Sequence, residues 1–175
     1  MDPRKEDLEA LRLALQMEQD GRKFYLEARG KASHPLAKET FRALADWELE
    51  HMKVIDRFYS SLMEKGRWES AEGALPRKGE AIDTFKTIFE ELREKIDRTV
   101  KADADDLAAY RSARDIEDNL AGFYRKQAAE ASEENAKRFY LFMADMEREH
   151  YQILDNSLQL LENPAQWFER EEWTF

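Results

Sequence analysis

The sequence predicts an all-α fold: a four-helix bundle with one long crossover connection that contains an extra helix. Composition is the first observation behind this. Only 6 Gly and 4 Pro punctuate a 175-residue chain that is 38% charged and rich in Ala, Leu, Glu, Lys and Arg, all strong helix formers. The second is periodicity, because apolar residues recur every three or four positions over four long stretches. Helices of roughly 28 residues run about 42 Å at 1.5 Å per residue, and four such rods pack as two antiparallel pairs. The third is the long stretch between the second and third helices, which requires a crossover rather than a hairpin turn.

The first helix, about residues 5–32, carries Leu8, Leu11, Leu15, Glu18 and Tyr25 on one face. Ser33-His34-Pro35 interrupts it, and Pro35 is acceptable in the first turn of a new helix. The second helix, 35–65, holds Phe41, Leu44, Glu48, His51, Ile55, Phe58 and Leu62 in the same rhythm and stops at Gly66. Gly66, Gly73, Pro76 and Gly79 break the periodicity at the start of a connection over 66–102, within which a medium helix is expected from Asp83 to Val100. Asp103 is a good N-cap for the third helix, 103–131, whose face is Tyr110, Ala113, Glu117, Leu120 and Tyr124. Ser132 is the expected cap of the fourth, 133–162, which carries Ala136, Tyr140, Met143, Glu147, His150, Leu154 and Leu161 until Asn163-Pro164 stops it. An aromatic tail over 164–175 contains Trp167, Phe168, Trp173 and Phe175, residues suited to packing or to dimer contacts. The whole of 1–175 reads as one domain, and 42% hydrophobic content is enough for its core.

Charge and cysteine content remove whole classes of function. Lys+Arg 28 against Asp+Glu 38 gives a net charge of −10, so neither nucleic acid nor an anionic membrane is an expected partner. No segment approaches the ~20 uncharged residues that span a bilayer, and the charged N-terminal stretch lacks a signal-peptide core, so the expected location is cytoplasmic. With no cysteine there are no disulfides, thiol nucleophiles or sulfur-ligated metals, and any metal must be held by Glu, Asp and His.

The two halves repeat each other. Residues 11–62 shifted by 99 positions onto 110–161 match without gaps at 16 of 52 positions, including Glu18 with Glu117, Tyr25 with Tyr124, Asp46 with Asp145, Glu48 with Glu147 and His51 with His150. Each Glu-x-x-His pair, Glu48/His51 and Glu147/His150, lies on one helical face about a turn apart. Glu18, Glu48, Glu117 and Glu147 all fall on the apolar stripe of their helices. Burying four carboxylates without compensation costs several kcal/mol each, against a net domain stability of about 5–15 kcal/mol. Few arginines occur in the seam, Arg22 being the main one, whereas two divalent cations would balance four carboxylates and leave both imidazoles as neutral ligands. Oxygen and imidazole donors without sulfur suit Fe, Mn or Zn, and bridging carboxylates favour two ions over one.

Through QMEQDGRKFY, ADWELEHMKVI, DIEDNLAGFY and ADMEREHYQIL, the sequence resembles the ferritin-like di-iron carboxylate superfamily, and rubrerythrin-like proteins within it, over about residues 5–162. The resemblance implies two Fe ions, with Mn or Zn as possible substitutes. It implies Glu48 and Glu147 as bridging carboxylates, Glu18 and Glu117 as terminal ones, and His51 and His150 as one ligand on each iron. Tyr25 and Tyr124, two turns beyond the terminal glutamates, resemble residues that hydrogen-bond the ligands in such sites. Many rubrerythrins carry a further glutamate where this chain has Leu120, and the symmetric six-residue set also resembles bacterioferritin ferroxidase centres. Rubrerythrins proper add a cysteine-ligated iron domain; without cysteine, electrons would come from an external donor protein.

Other residues have plainer readings. Glu50 and Glu149 point about 100° from the ligand face and read as solvated salt-bridge partners. Asp46 and Asp145 are equally compatible with a hydrogen bond to imidazole and with an exposed or interhelical contact. His34 reads as a surface or capping residue, and Arg93–Arg98 as a solvated helix face. The implied activity is reduction of hydrogen peroxide or O2 at the metal pair. The alternatives are iron oxidation and handling, or a bundle that metals merely stabilise while its aromatic tail docks a partner. A homodimer is the expected assembly.

Overall fold

The computed structural model describes residues 3–170. Its helices are α1 (Pro3–Lys31), α2 (Pro35–Lys65), α3 (Glu80–Leu92), α4 (Ala104–Glu130), α5 (Glu134–Glu162) and α6 (Pro164–Arg170), with a 3-10 turn at Arg93–Lys95. There is no strand among the described residues, and none of their helices is long and apolar enough to cross a membrane. The four long helices lie within two residues of the bounds that periodicity predicts. They form two hairpins, α1 with α2 and α4 with α5, joined through α1–α4 and α2–α5 contacts. The fold is the all-α ferritin-like bundle that the sequence predicts.

Local chemistry sets the helix ends. His34 is the N-cap of α2, its Nδ1 accepting the Leu36 N–H at 3.1 Å, while Pro35 occupies the first turn, where its missing N–H costs nothing. Gly66 closes α2 in the left-handed conformation at φ 65°, donating its N–H to the Leu62 carbonyl. Asp103 caps α4 by accepting the Asp106 N–H at 2.8 Å. Ser132 does not cap α5: the N-cap is Glu133, which makes no side-chain cap bond. The serine stands one position too early to reach the first free N–H groups of a helix starting at Glu134.

The extra helix is displaced from its predicted span. Gly79, left-handed at φ 84°, starts α3 at Glu80, its carbonyl accepting the Asp83 N–H. The helix ends at Leu92, tightens into the 3-10 turn and becomes extended at Ile96. Arg93–Arg98 is therefore a turn and an extended segment, not a helix face. Asp97 accepts the Thr99 N–H at 2.9 Å, turning the chain away from helix before Val100. Ala102 N–H then bonds the Leu161 carbonyl at 3.0 Å, tying the end of the connection to the end of α5.

The aromatic tail also differs from expectation. Its first part is helical, and Trp167 and Phe168 are buried within the chain: Trp167 meets Phe89 of α3 edge-on at 5.1 Å, and Arg98 lies over Phe168 at 4.5 Å. Two of the four aromatic residues on which the homodimer expectation rests are thus used internally. Trp173 and Phe175 lie outside the described residues.

The core forms two apolar clusters. One contains Tyr25, Phe41, Phe85, Phe89 and Tyr110; the other contains Phe58, Trp68, Tyr124, Phe139 and Tyr140. The hydroxyls of Tyr25 and Tyr124 both reach buried glutamates, so a polar centre lies between the clusters. At one end of the bundle, buried Asp106 accepts the Ser33 and His34 N–H groups at 3.2 and 2.8 Å and the Ser33 hydroxyl at 3.0 Å, locking the α1–α2 corner to α4. Asp106→Ala leaves the Ser33 and His34 N–H groups without a partner, while the Ser33 hydroxyl keeps Asp103, and is expected to lower stability by about 1–3 kcal/mol, read by urea denaturation.

Candidate metal centre

Long helices deliver each side chain to this centre from its own apolar stripe. Glu18 comes from α1, Glu48 and His51 from α2, Glu117 from α4, and Glu147 and His150 from α5. All four glutamates have no solvent exposure, and the histidines are almost as deeply buried. Glu48, His51, Glu147 and His150 each present a ligand atom within 4.8 Å of the others. Glu18 and Glu117 adjoin this group from either side.

The contacts follow the pseudo-symmetry of the repeat. His51 Nδ1 lies 3.3 Å from Glu48 Oε2, 3.2 Å from Glu147 Oε1 and 3.4 Å from Glu18 Oε2. His150 Nδ1 lies 3.5 Å from Glu48 Oε1, 3.5 Å from Glu147 Oε2 and 3.6 Å from Glu117 Oε1. Glu48 and Glu147 therefore each turn one oxygen to each imidazole, while Glu18 belongs to the His51 side and Glu117 to the His150 side. The imidazoles stack at 5.0 Å, nearly parallel.

Eight ligand atoms of these residues have no hydrogen-bond partner: both oxygens of Glu48 and of Glu147, one each of Glu18 and Glu117, and both Nδ1 atoms. Buried polar atoms are almost always satisfied, so eight such atoms facing one space need an explanation. Donors bound to one ion at about 2.0–2.2 Å, separated by 90–110°, stand about 3.0–3.5 Å apart, much like the spacings seen here. Among the described residues, the only cationic groups within ion-pair distance of these glutamates are the two imidazoles; Arg22, the arginine that the sequence offers for the seam, does not pair with them. The donor set fits a pair of metal ions.

A comparison with protein families agrees. The Rubrerythrin family model matches residues 9–158. The chain belongs to the rubrerythrin family. Neither the curated proteins nor the solved structures give a match. Family and geometry together point to a di-metal carboxylate site, which in this rubrerythrin is made without any cysteine.

The tyrosines pair across the halves. Tyr25, on the helix of Glu18, donates to Glu117 Oε1, and Tyr124, on the helix of Glu117, donates to Glu18 Oε1. Burial and the neighbouring carboxylates push both phenols well above their ordinary range, so they remain protonated donors. The remaining sequence candidates lie elsewhere. Asp46 pairs with Arg42 at 3.0 Å and Asp145 pairs with Lys78, both exposed, so neither serves an imidazole. Glu50 is the expected exposed partner, held by Lys53 at 2.6 Å. Glu149 is not: it is half-buried and accepts the Gly79 N–H at 2.7 Å, anchoring the crossover to α5.

Sequence periodicity does not reveal what covers the centre. Trp47 stacks on the His150 ring at 5.3 Å, and a cavity of about 210 Å³ reaches both imidazoles between Trp47, Met146, Pro76 and Ala81. Pro76 and Ala81 come from the crossover, whose fold over the site no local pattern encodes. Only the departure of Trp47 from the polar pattern beside Glu48 hinted at it.

Without metal, burial and mutual charge shift the proton affinities of these groups in opposite directions. Burial, together with the charges of Glu147 and Glu48, raises Glu18 well above the usual carboxylate range, and burial with the Glu48 charge does the same for Glu117. Burial opposes the charging of His51 and His150, but the adjacent carboxylates outweigh it and raise both well above their ordinary value. Glu48 and Glu147 are held low against the effect of burial, Glu48 by the Glu18 carboxyl and then both imidazoles, Glu147 by the imidazoles. Ligation needs Glu18, Glu117, His51 and His150 deprotonated, so the upward shifts oppose metal binding as pH falls. Loading divalent ions is expected to release protons, and affinity is expected to fall as pH falls. Calorimetry in buffers of different ionisation enthalpy measures the release.

Proposed function

We propose that this chain, acting as one domain, is a non-haem di-iron carboxylate oxidoreductase that reduces hydrogen peroxide or O2 with electrons from an external donor protein. The observation that carries the reading is the convergence of eight buried, partnerless ligand atoms from four helices. Glu48 and Glu147 would bridge, since each has both oxygens free and directed to opposite imidazoles. Glu18 and Glu117 would be terminal, each with one oxygen engaged by a tyrosine. His51 and His150 would bind one iron each through Nδ1. When bound, the iron pair supplies the electrons and the Lewis acidity for splitting an O–O bond.

The chain's own residues define the setting. Tyr25 and Tyr124 fix the terminal carboxylates by hydrogen bonds that cross the bundle, limiting how far either can swing. The cavity beside Trp47 admits a small oxidant from the imidazole side, and the apolar clusters keep bulk water from the carboxylates. Mn or Zn would fit the same donors, and iron is favoured only because redox work is proposed.

Leu120 supports a second reading. It is buried where an additional glutamate would stand in many relatives, and the resulting symmetric six-residue set suits iron oxidation as well as peroxide reduction. Anaerobic loading is expected to give about two Fe(II) per chain and a ferric absorption on oxidation. A faster rise with peroxide than with O2 supports the peroxide reductase; a faster rise with O2, and repeated turnover of added Fe(II), supports iron oxidation. Bound metal that never changes oxidation state would leave a metal-stabilised bundle. Glu147→Ala is expected to lose the paired metals, and metal analysis showing both retained would refute the ligand assignment.

A further inference from the structure

The cavity of about 210 Å³ beside Trp47 borders the outer edges of both imidazoles. His51 and His150 turn Nδ1 to the glutamates, and a ring that turns Nδ1 inward turns its Nε2–Cδ2 edge outward, toward this cavity. A histidine that ligates through Nδ1 carries its hydrogen on Nε2, and metal-bound histidines almost always donate that hydrogen to a carboxylate, a carbonyl or water. Here no described residue accepts from either Nε2, although His150 is only 1% exposed and His51 6%. Two buried donors therefore open on one cavity with nothing of the protein to receive them.

The surroundings favour an anion. The N-terminus of α3 borders the cavity through Glu80 and Ala81 and has no side-chain cap, so its first N–H groups and the positive end of the helix are unanswered. Arg77, paired with Asp83 at 2.9 Å, lies at the mouth. Glu50 and Glu80 also flank the mouth, but Glu50 is held by Lys53 at 2.6 Å and both are exposed to water. The walls are apolar, made by Trp47, Pro76, Ala81 and Met146. An ordered water needs about two to four polar partners, which such walls do not supply, whereas a cavity of about 150 Å³ takes benzene. This one has room for a ring or a short chain.

We propose that this cavity is a binding site for a small organic carboxylate, whose oxygens accept the Nε2–H groups of His51 and His150 and whose apolar body lies against Trp47 and Met146. The inference rests on the metal assignment above, since ligation through Nδ1 is what fixes the hydrogen on Nε2. An acceptor on that hydrogen raises the basicity of the imidazole toward its metal. Carboxylate and metal therefore strengthen each other's binding, each by the same factor. The site tunes the centre from outside its six ligands, and the crossover builds it by contributing Pro76, Arg77, Glu80 and Ala81.

The test uses the full chain loaded with zinc, which is diamagnetic and redox-silent, with benzoate as the probe and benzyl alcohol as its uncharged counterpart. Calorimetry is expected to show benzoate bound roughly tenfold more tightly than benzyl alcohol, and roughly tenfold more tightly than by the metal-free chain. In isotope-labelled protein, the Nε2 nitrogen resonances of His51 and His150 are expected to shift as benzoate binds. Arg77→Gln, a change at an exposed position, is expected to weaken benzoate about tenfold with zinc content unchanged. Ala81→Leu is expected to abolish benzoate binding by filling the cavity. Benzoate binding that is equal with and without zinc, leaves both Nε2 resonances unmoved, or survives both variants overturns the proposal while the metal assignment stands. So does zinc binding with no benzoate binding. Zinc affinity that falls on Glu80→Gln overturns it as well, by showing that Glu80 is the acceptor. Failure to bind zinc overturns both readings together.

Discussion

Four carboxylates without solvent exposure sit at the centre of the bundle, and the rest of the structure is organised around compensating them. Their mutual repulsion and lost hydration are large compared with the net stability of any domain this size. Among the described residues, the imidazoles of His51 and His150 are the only groups able to carry positive charge within ion-pair distance, and the unpaired ligand atoms are all buried. A pair of divalent ions balances the charge outright. The same constraint raises the proton affinity of Glu18, Glu117 and both histidines, so protons compete with metal for the centre.

Internal repetition is what makes a symmetric answer available. Each half contributes one terminal glutamate, one Glu-x-x-His pair and one tyrosine, but the tyrosines serve the opposite half. This crossing couples α1 to α4 through two buried hydrogen bonds. Neither half can complete the centre alone. The halves diverge where symmetry is not required: Phe41 against Tyr140, Gly21 against Leu120, and a crossover attached to only one side.

The crossover serves as more than a link. Trp68 at its start fills one apolar cluster, while Phe85 and Phe89 of α3 fill the other. Between them, the stretch through Pro76 and Gly79 lies over the imidazoles, held by Glu149 and by Lys78 on Asp145. Pairs that look like solvated surface charges in the sequence thus fasten the cover of the site. The C-terminal helix adds Trp167 and Phe168 to the same side, against α3 and the extended segment after it.

The sequence by itself determined the four long helices, the cap at Asp103 and the restart at Pro35, and the six inward-facing Glu and His residues. Those features are periodic or local: a three-four rhythm names the buried face, and a carboxylate on that face betrays its need for a counter-charge. Repetition strengthened the reading, because two halves that drifted elsewhere kept the same residues. Only the tertiary structure decided which tyrosine meets which glutamate, how Glu48 and Glu147 divide their oxygens between the imidazoles, and where α3 begins and ends. It also decided that Trp47 stacks on His150 and that the crossover borders a cavity at the imidazoles. Such contacts join residues distant in the chain through loops whose path depends on packing, and no spacing within one helix records them.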